Sequence, residues 1–148
     1  MHPDLKMQML YSDDRLKIEL NDDLKYIYVE WQRNVTSDEF RKLFTHAANI
    51  ALDQQCLYWL SDARQIHFID FADQNWMLRE MGPLLQTSSL VKFARISNKE
   101  SMSLLDVHRI YSELENSSRF KIKTELQVFL EKDDAIDWLF ENLELEQK

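Results

Sequence analysis

The chain has 148 residues, 45% hydrophobic and 30% charged, which is the size of one globular domain built around a single core. Two prolines and one glycine are too few breakers for collagen-like, linker-rich or extensively disordered architectures. A net charge of -8 disfavours nucleic acid and anionic membrane as bulk partners, and the lone Cys56 cannot close an internal disulfide or pair with a second thiolate on zinc. No apolar run approaches the roughly 18 residues of a membrane span, and MHPDLKMQML has no apolar signal-peptide core. A cytoplasmic protein is the expectation. Charge is distributed unevenly: residues 131–148 carry seven acids and two lysines, while residues 92–123 carry seven bases and four acids. Solvated faces explain both, and a basic surface for an acidic partner is the alternative.

In chain order, Met7 to Tyr11 reads as a short strand, and Arg15 to Leu20 alternates with Leu16, Ile18 and Leu20 on one side. Asn21 to Asp23 supplies turn chemistry before Leu24 to Trp31, so antiparallel strands open the domain. Thr36 and Glu39 have capping-box spacing, and Phe40, Leu43, Phe44, Ala47 and Ala51 recur at helical intervals, which predicts a helix over Ser37 to Asp53. Cys56 to Ser61 is apolar almost throughout, as a strand covered on both faces would be, and is the candidate central strand. Asp70 or Asp73 caps a second helix through Trp76, Met77 and Met81, with a kink expected at Pro83. Leu90 to Ser97 reads as a strand and Leu104, Val107, Tyr111 and Leu114 as a third helix. The alternation from Phe120 to Leu130 is a strong strand signal, and a last helix is capped near Asp133. Strands alternating with helices imply a central sheet under helical cover, with right-handed crossovers.

The chemistry-bearing motifs are few. One glycine, Gly82, cannot build a dinucleotide fingerprint or a Walker loop. His2, His46, His67 and His108 have no metal-ligand spacing, and no serine sits in a nucleophile elbow. His46 and His108 are expected on helix surfaces and His67 as a satisfied structural histidine. Asp13/Asp14, Asp22/Asp23 and Asp133/Asp134 fall where turns and helix starts explain them. No catalytic residue, metal or cofactor is expected, and the protein is read as a non-enzyme. Trp31, Trp59 and Trp138 lie on apolar faces, while the polar neighbours of Trp76 leave it for a surface or a site.

The stretch LYWLSDARQIHFIDFADQNW resembles the central strand and switch loop of the STAS superfamily. In that family a strand-ending aspartate is followed eight residues later by a second one, directly before the serine that a partner kinase phosphorylates. Asp62 and Asp70 match the two aspartates, and Phe71 occupies the serine position. Tyr28-Val29-Glu30-Trp31 with Thr36 to Phe40, Trp59 to Arg64, Asp73-Gln74-Asn75-Trp76 with Pro83, and Ala135 with Trp138-Leu139 are similar to the SpoIIAA-like (STAS/SEC14) branch. The resemblance implies one α/β domain over residues 1–148: a central mixed β-sheet with an antiparallel N-terminal meander and about four helices chiefly on one side.

It also implies a protein that works by binding, with no phosphoswitch, since phenylalanine has no hydroxyl. Phe71 then serves a partner contact or an acyl-chain pocket, or packs under its helix. The expected function is a non-enzymatic regulatory, signalling or partner-binding module, with a carrier or sensor of a small apolar, lipid-like ligand as the alternative. The partner- or ligand-binding candidates are Asp62, Asp70, Phe71, Asp73 and Trp76. Tyr26, Tyr28 and Tyr58 could form an exposed aromatic patch on the sheet, from which a homodimer is expected unless the meander or the acidic C-terminal helix covers it.

Overall fold

The computed structural model describes residues 5–67, 69–141 and 143. Six strands form one mixed sheet in sequence order: β1 (Gln8–Ser12), β2 (Leu16–Asn21), β3 (Tyr26–Trp31), β4 (Tyr58–Asp62), β5 (Lys92–Ile96) and β6 (Glu125–Phe129). The first three are antiparallel and β3 to β6 are parallel. The connections between parallel strands are helical: α1 (Ser37–Asp53), α2 (Phe71–Thr87), then the pair α3 (Lys99–Leu104) and α4 (Asp106–Glu115), while α5 (Lys132–Leu139) follows β6. Because each crossover advances one strand in the same direction, the one-handedness of such connections puts α1, α2 and α4 on a single face.

The period-2 patterns sort the strand residues onto two faces. Leu16, Ile18 and Leu20, Ile27, Val29 and Trp31, then Trp59, Phe93 and Leu126 meet Phe40, Phe44, Met77, Met81, Ile110 and Leu114 in the larger core. On the reverse face Tyr26, Tyr28, Leu60, Ala94 and Ile96 pack with Ala135, Leu139 and Phe140. Phe140 sets its ring edge-on to Tyr26 and Tyr58. The tyrosine patch from which a homodimer was expected therefore lies under α5 and the residue after it. Lys92 holds that cover in place: its Nζ donates to the Trp138 carbonyl at 2.7 Å and pairs with Glu141 at 3.1 Å.

α1 keeps the predicted bounds because both its ends are specified. Thr36 and Glu39 form the reciprocal capping box. At the other end Cys56 N–H bonds the Ala51 carbonyl and Gln55 N–H the Leu52 carbonyl, a Schellman closure with Gln55 at φ 54° where glycine is usual. α2 is capped by Asp70, the first of the two candidates, and continues through Pro83. The predicted third helix is two helices, α3 and α4, divided at Leu105. That division gives five helices among the described residues where about four were expected.

The strand expected from Phe120 shortens to Glu125–Phe129. β5 starts at Lys92, opposite Glu125, so nothing remains for the earlier residues to pair with. Phe120 lies instead against α2, its ring in the space that a side chain on Gly82 would fill. The chain's one glycine is thus a close-approach position. No helix among the described residues is long and apolar enough to cross a membrane.

Candidate functional site

The parallel register aligns residues across the sheet in rows. One row is apolar, Leu20–Ile27–Trp59–Phe93–Leu126. The next, one step nearer the carboxyl ends of the parallel strands, is Ile18–Val29–Ser61–Arg95–Val128. Ser61 and Arg95 are thus neighbours on the helix-covered face, and both are buried. Ligands in open α/β sheets favour this carboxyl end.

The Arg95 guanidinium is surrounded by a small polar network. Its Nη1 donates to Ser97 Oγ at 3.0 Å and Ser101 Oγ at 3.3 Å, and lies 3.8 Å from Asp106 Oδ1. Asp106, at the start of α4, accepts from Ile69 N–H and the Ser101 hydroxyl at 2.6 Å each, and from Val107 N–H at 2.7 Å. Burial pulls the Arg95 pKa below its ordinary value and pushes that of neighbouring Tyr111 up. Tyr111 Oη is buried without a hydrogen-bond partner among the described residues, as is Trp59 Nε1. Arg95, Tyr111 and Ser61 open into a cavity of about 30 Å³ whose other walls include Trp31, Phe40, Phe44, Phe93 and Met77. Every residue lining it is buried.

Above this network lies the β4–α2 turn. Ile69 bonds Asp106 and lines the cavity, and Asp70 caps α2 by accepting from Asp73 N–H at 2.9 Å. Phe71, the first residue of α2, is 64% exposed. It does not pack under its helix. The Arg109 guanidinium lies over its ring, 4.6 Å from the centroid, while also bonding Gln74 and Asn75 on α2. Leu104 and Leu105, which begin the turn leading to Arg109, are 56% and 55% exposed. Leu105 holds φ 58°, a left-handed conformation costly for a leucine. The conformation closes α3: Leu105 is its C-cap and donates its N–H to the Met102 carbonyl at 3.3 Å, a left-handed helix ending like that at Gln55, made here at the Cβ steric cost that a leucine carries.

The remaining candidates fall elsewhere. Asp73 is buried between Ser37 Oγ at 2.7 Å and Arg41 Nε at 2.8 Å, tying α2 to α1. Trp76 is half-buried against Phe40 and Phe44 with Arg41 over its ring. Asp62 turns to the reverse face, where Arg64 grips both its oxygens at 2.6 and 3.0 Å and Tyr28 Oη approaches at 3.4 Å. Burial there opposes its charge, yet the Arg64 hydrogen bonds prevail and its pKa lies below the usual carboxylate value. Asp70 and Phe71 therefore share the turn, Asp73 and Trp76 face α1, and Asp62 is directed away from all four. Neither Phe71 nor Trp76 lines the cavity.

Two basic residues counted toward a basic surface, Lys92 and Arg95, are buried. His67 is exposed, as are His46 and His108. Arg95, Asp106 and Tyr111 were not singled out from the sequence, although an arginine two residues after Phe93 in an apolar strand had to share its face. No family model matches the chain, and comparisons with curated proteins and with solved structures find no match.

Proposed function

We propose that this protein is a non-enzymatic binding module of the STAS type, lacking the switch serine, whose docking surface is the apolar patch of Phe71, Leu104 and Leu105 rather than the whole turn from Asp62. The observation that carries this reading is the exposure of Phe71, Leu104 and Leu105 around Arg109, whose guanidinium lies over the Phe71 ring and whose N–H bonds the Leu105 carbonyl. An aromatic ring at the first position of a helix and two leucines at a helix junction are a large apolar outlay in water at one end of a fold. The occupant is a protein surface presenting apolar side chains bracketed by carboxylates. Exposed Lys99 supplies complementary charge on a chain that is acidic overall, beside Arg109, which is a third exposed, spread on Phe71 and paired within its own helix with Glu113 at 3.3 Å. Aromatic and arginine anchors are the side chains around which interface energy concentrates.

Native mass spectrometry of the protein purified from its own host tests the proposal. The expected result is a complex of fixed stoichiometry with another protein, lost on Phe71→Ser and retained on Val91→Ser, which alters an exposed residue just before β5. A chain carrying only an apolar small molecule, or a complex indifferent to Phe71→Ser, would overturn it.

A further inference from the structure

The chain's eight arginines fall into two groups. Six pair with carboxylates: Arg15 with Asp13, Arg33 with Asp14 and Glu39, Arg41 with Asp73, Arg64 with Asp62, Arg95 with Asp106 and Arg109 with Glu113. Arg79 and Arg119 have no ion pair among the described residues, on a chain that carries 26 acidic side chains. Both are exposed, and both line one groove of about 380 Å³ between α2 and α4. Leu78 and Pro83 of α2, Leu114 of α4 and Phe120 give that groove an apolar floor, with Arg79 standing on α2 and Arg119 on the turn after α4. The turn is fixed in place, because Ser117 Oγ accepts from the Arg119 and Phe120 N–H groups at 3.0 and 3.2 Å. The Phe120 ring is wedged against Gly82, and the Arg119 guanidinium lies 5.2 Å from its centroid. Among the described residues the lining holds one carboxylate, Glu113, which is turned to Arg109 at 3.3 Å.

We propose that this groove binds an acidic peptide, an extended segment of a partner protein whose carboxylates meet Arg79 and Arg119 while its apolar side chains lie on the floor between them. Charge sets the class. A guanidinium presents a planar fork of donors that matches a carboxylate, and arginines are among the side chains around which interface energy concentrates. Exposed Lys121 and Lys123, also outside any ion pair among the described residues, extend the positive surface beyond Arg119. On a chain of net charge -8 such a cluster is complementary to an acidic partner and repels this chain's own acidic faces. Solvation alone accounts for four cations, but not for an apolar floor between two of them. The two arginines stand on different elements, so an occupant that meets both spreads its carboxylates across the groove. The site lies toward the opposite end of α2 from Phe71, and the proposal does not rest on the reading of that patch.

The test is the fluorescence anisotropy of a blocked, fluorescein-labelled peptide, Gly-Ser-Glu-Phe-Glu-Leu-Glu-Ser-Gly, titrated with the whole protein. Saturable binding is expected, weakening as salt screens the exposed charges. Arg79→Glu and Arg119→Glu should each weaken it by about tenfold or more, the worth of a hydrogen bond to a charged group. Both side chains are exposed and neither makes an ion pair among the described residues, so the variants should keep the wild-type far-UV circular dichroism and denaturation midpoint. Lys42→Glu, at an exposed position of α1, changes the net charge by the same amount and should leave the affinity as it was. Absence of saturable binding, equal affinity for the peptide with glutamine in place of glutamate, or a loss on Lys42→Glu as large as on the arginine variants would each overturn the proposal. So would binding lost on Phe71→Ser and kept on Arg79→Glu, which would move the peptide to the other patch.

Discussion

Substituting Asp106 by Asn probes the polar network under the docking patch. Two unit charges 3.8 Å apart attract by about 4 kcal/mol at an effective dielectric constant of about 20, and removing one partner of a buried pair costs about 3–5 kcal/mol because the other charge stays behind. Asp106→Asn leaves Arg95 in that position. It also replaces one acceptor oxygen by an NH₂ that must face either Ile69 N–H or the Val107 N–H and Ser101 hydroxyl. Urea denaturation at 25 °C should therefore show a loss of about 3–5 kcal/mol with an unchanged m-value. Arg95→Met should cost less, about 1–3 kcal/mol, because the Asp106 carboxylate keeps its three donors while only the bonds to Ser97 and Ser101 vanish. The double variant should lose less than the sum of the two, by about 1 kcal/mol or more, since the residues share one network. Strict additivity, or an Asp106→Asn variant no less stable than Arg95→Met, would refute the account of a buried charge held by its partner.

Trp59 is fully buried and stacked on Phe93 at 4.9 Å, so Trp59→Ala should cost about 3–5 kcal/mol in the same assay and half-buried Trp76→Ala less; equal losses would contradict this. Asp62, whose folded pKa is depressed, contributes stability above its unfolded value of about 3.9 and loses it as pH falls through the folded value. Asp62→Asn should accordingly flatten the fall of the thermal midpoint below about pH 4, and an unchanged acid limb would contradict the Arg64 assignment. Burial pushes the Cys56 thiol up to about 11, so at pH 8 it should react with a disulfide reagent only as fast as the chain opens; reaction at the rate of a free thiol would show it to be accessible. Phosphopeptide mapping of protein from its host should find no stoichiometric phosphate in the turn from Ser61 to Trp76, where Phe71 stands and Ser61 is buried; stoichiometric phosphate on Ser61 would contradict this.

What was legible in the sequence was whatever short-range rules decide. The capping box at Thr36, the alternation in β2 and the two-sided burial of β4 are local signals, and the structure follows them closely. The failures have nonlocal causes. Alternation from Phe120 onward is correct as a pattern, but a strand needs a neighbour, and β5 offers none before Glu125. Leu104, Val107, Tyr111 and Leu114 share helical spacing, which cannot show that the backbone turns left-handed at Leu105. The paired aspartates Asp62 and Asp70 look equivalent in sequence, yet strand parity sends Asp62 to the reverse face while Asp70 caps a helix. Arg95 was the missed opportunity: period 2 from Phe93 places it in the core, where an arginine demands a partner.

Hydrogen–deuterium exchange of the free protein against its purified complex tests the docking surface most directly. The account predicts slowed exchange within residues 69–75 and 104–109, with α5 and the strands it covers unchanged. Protection confined to α5 and its tyrosine face, leaving Phe71 and Leu105 as in the free chain, would contradict it.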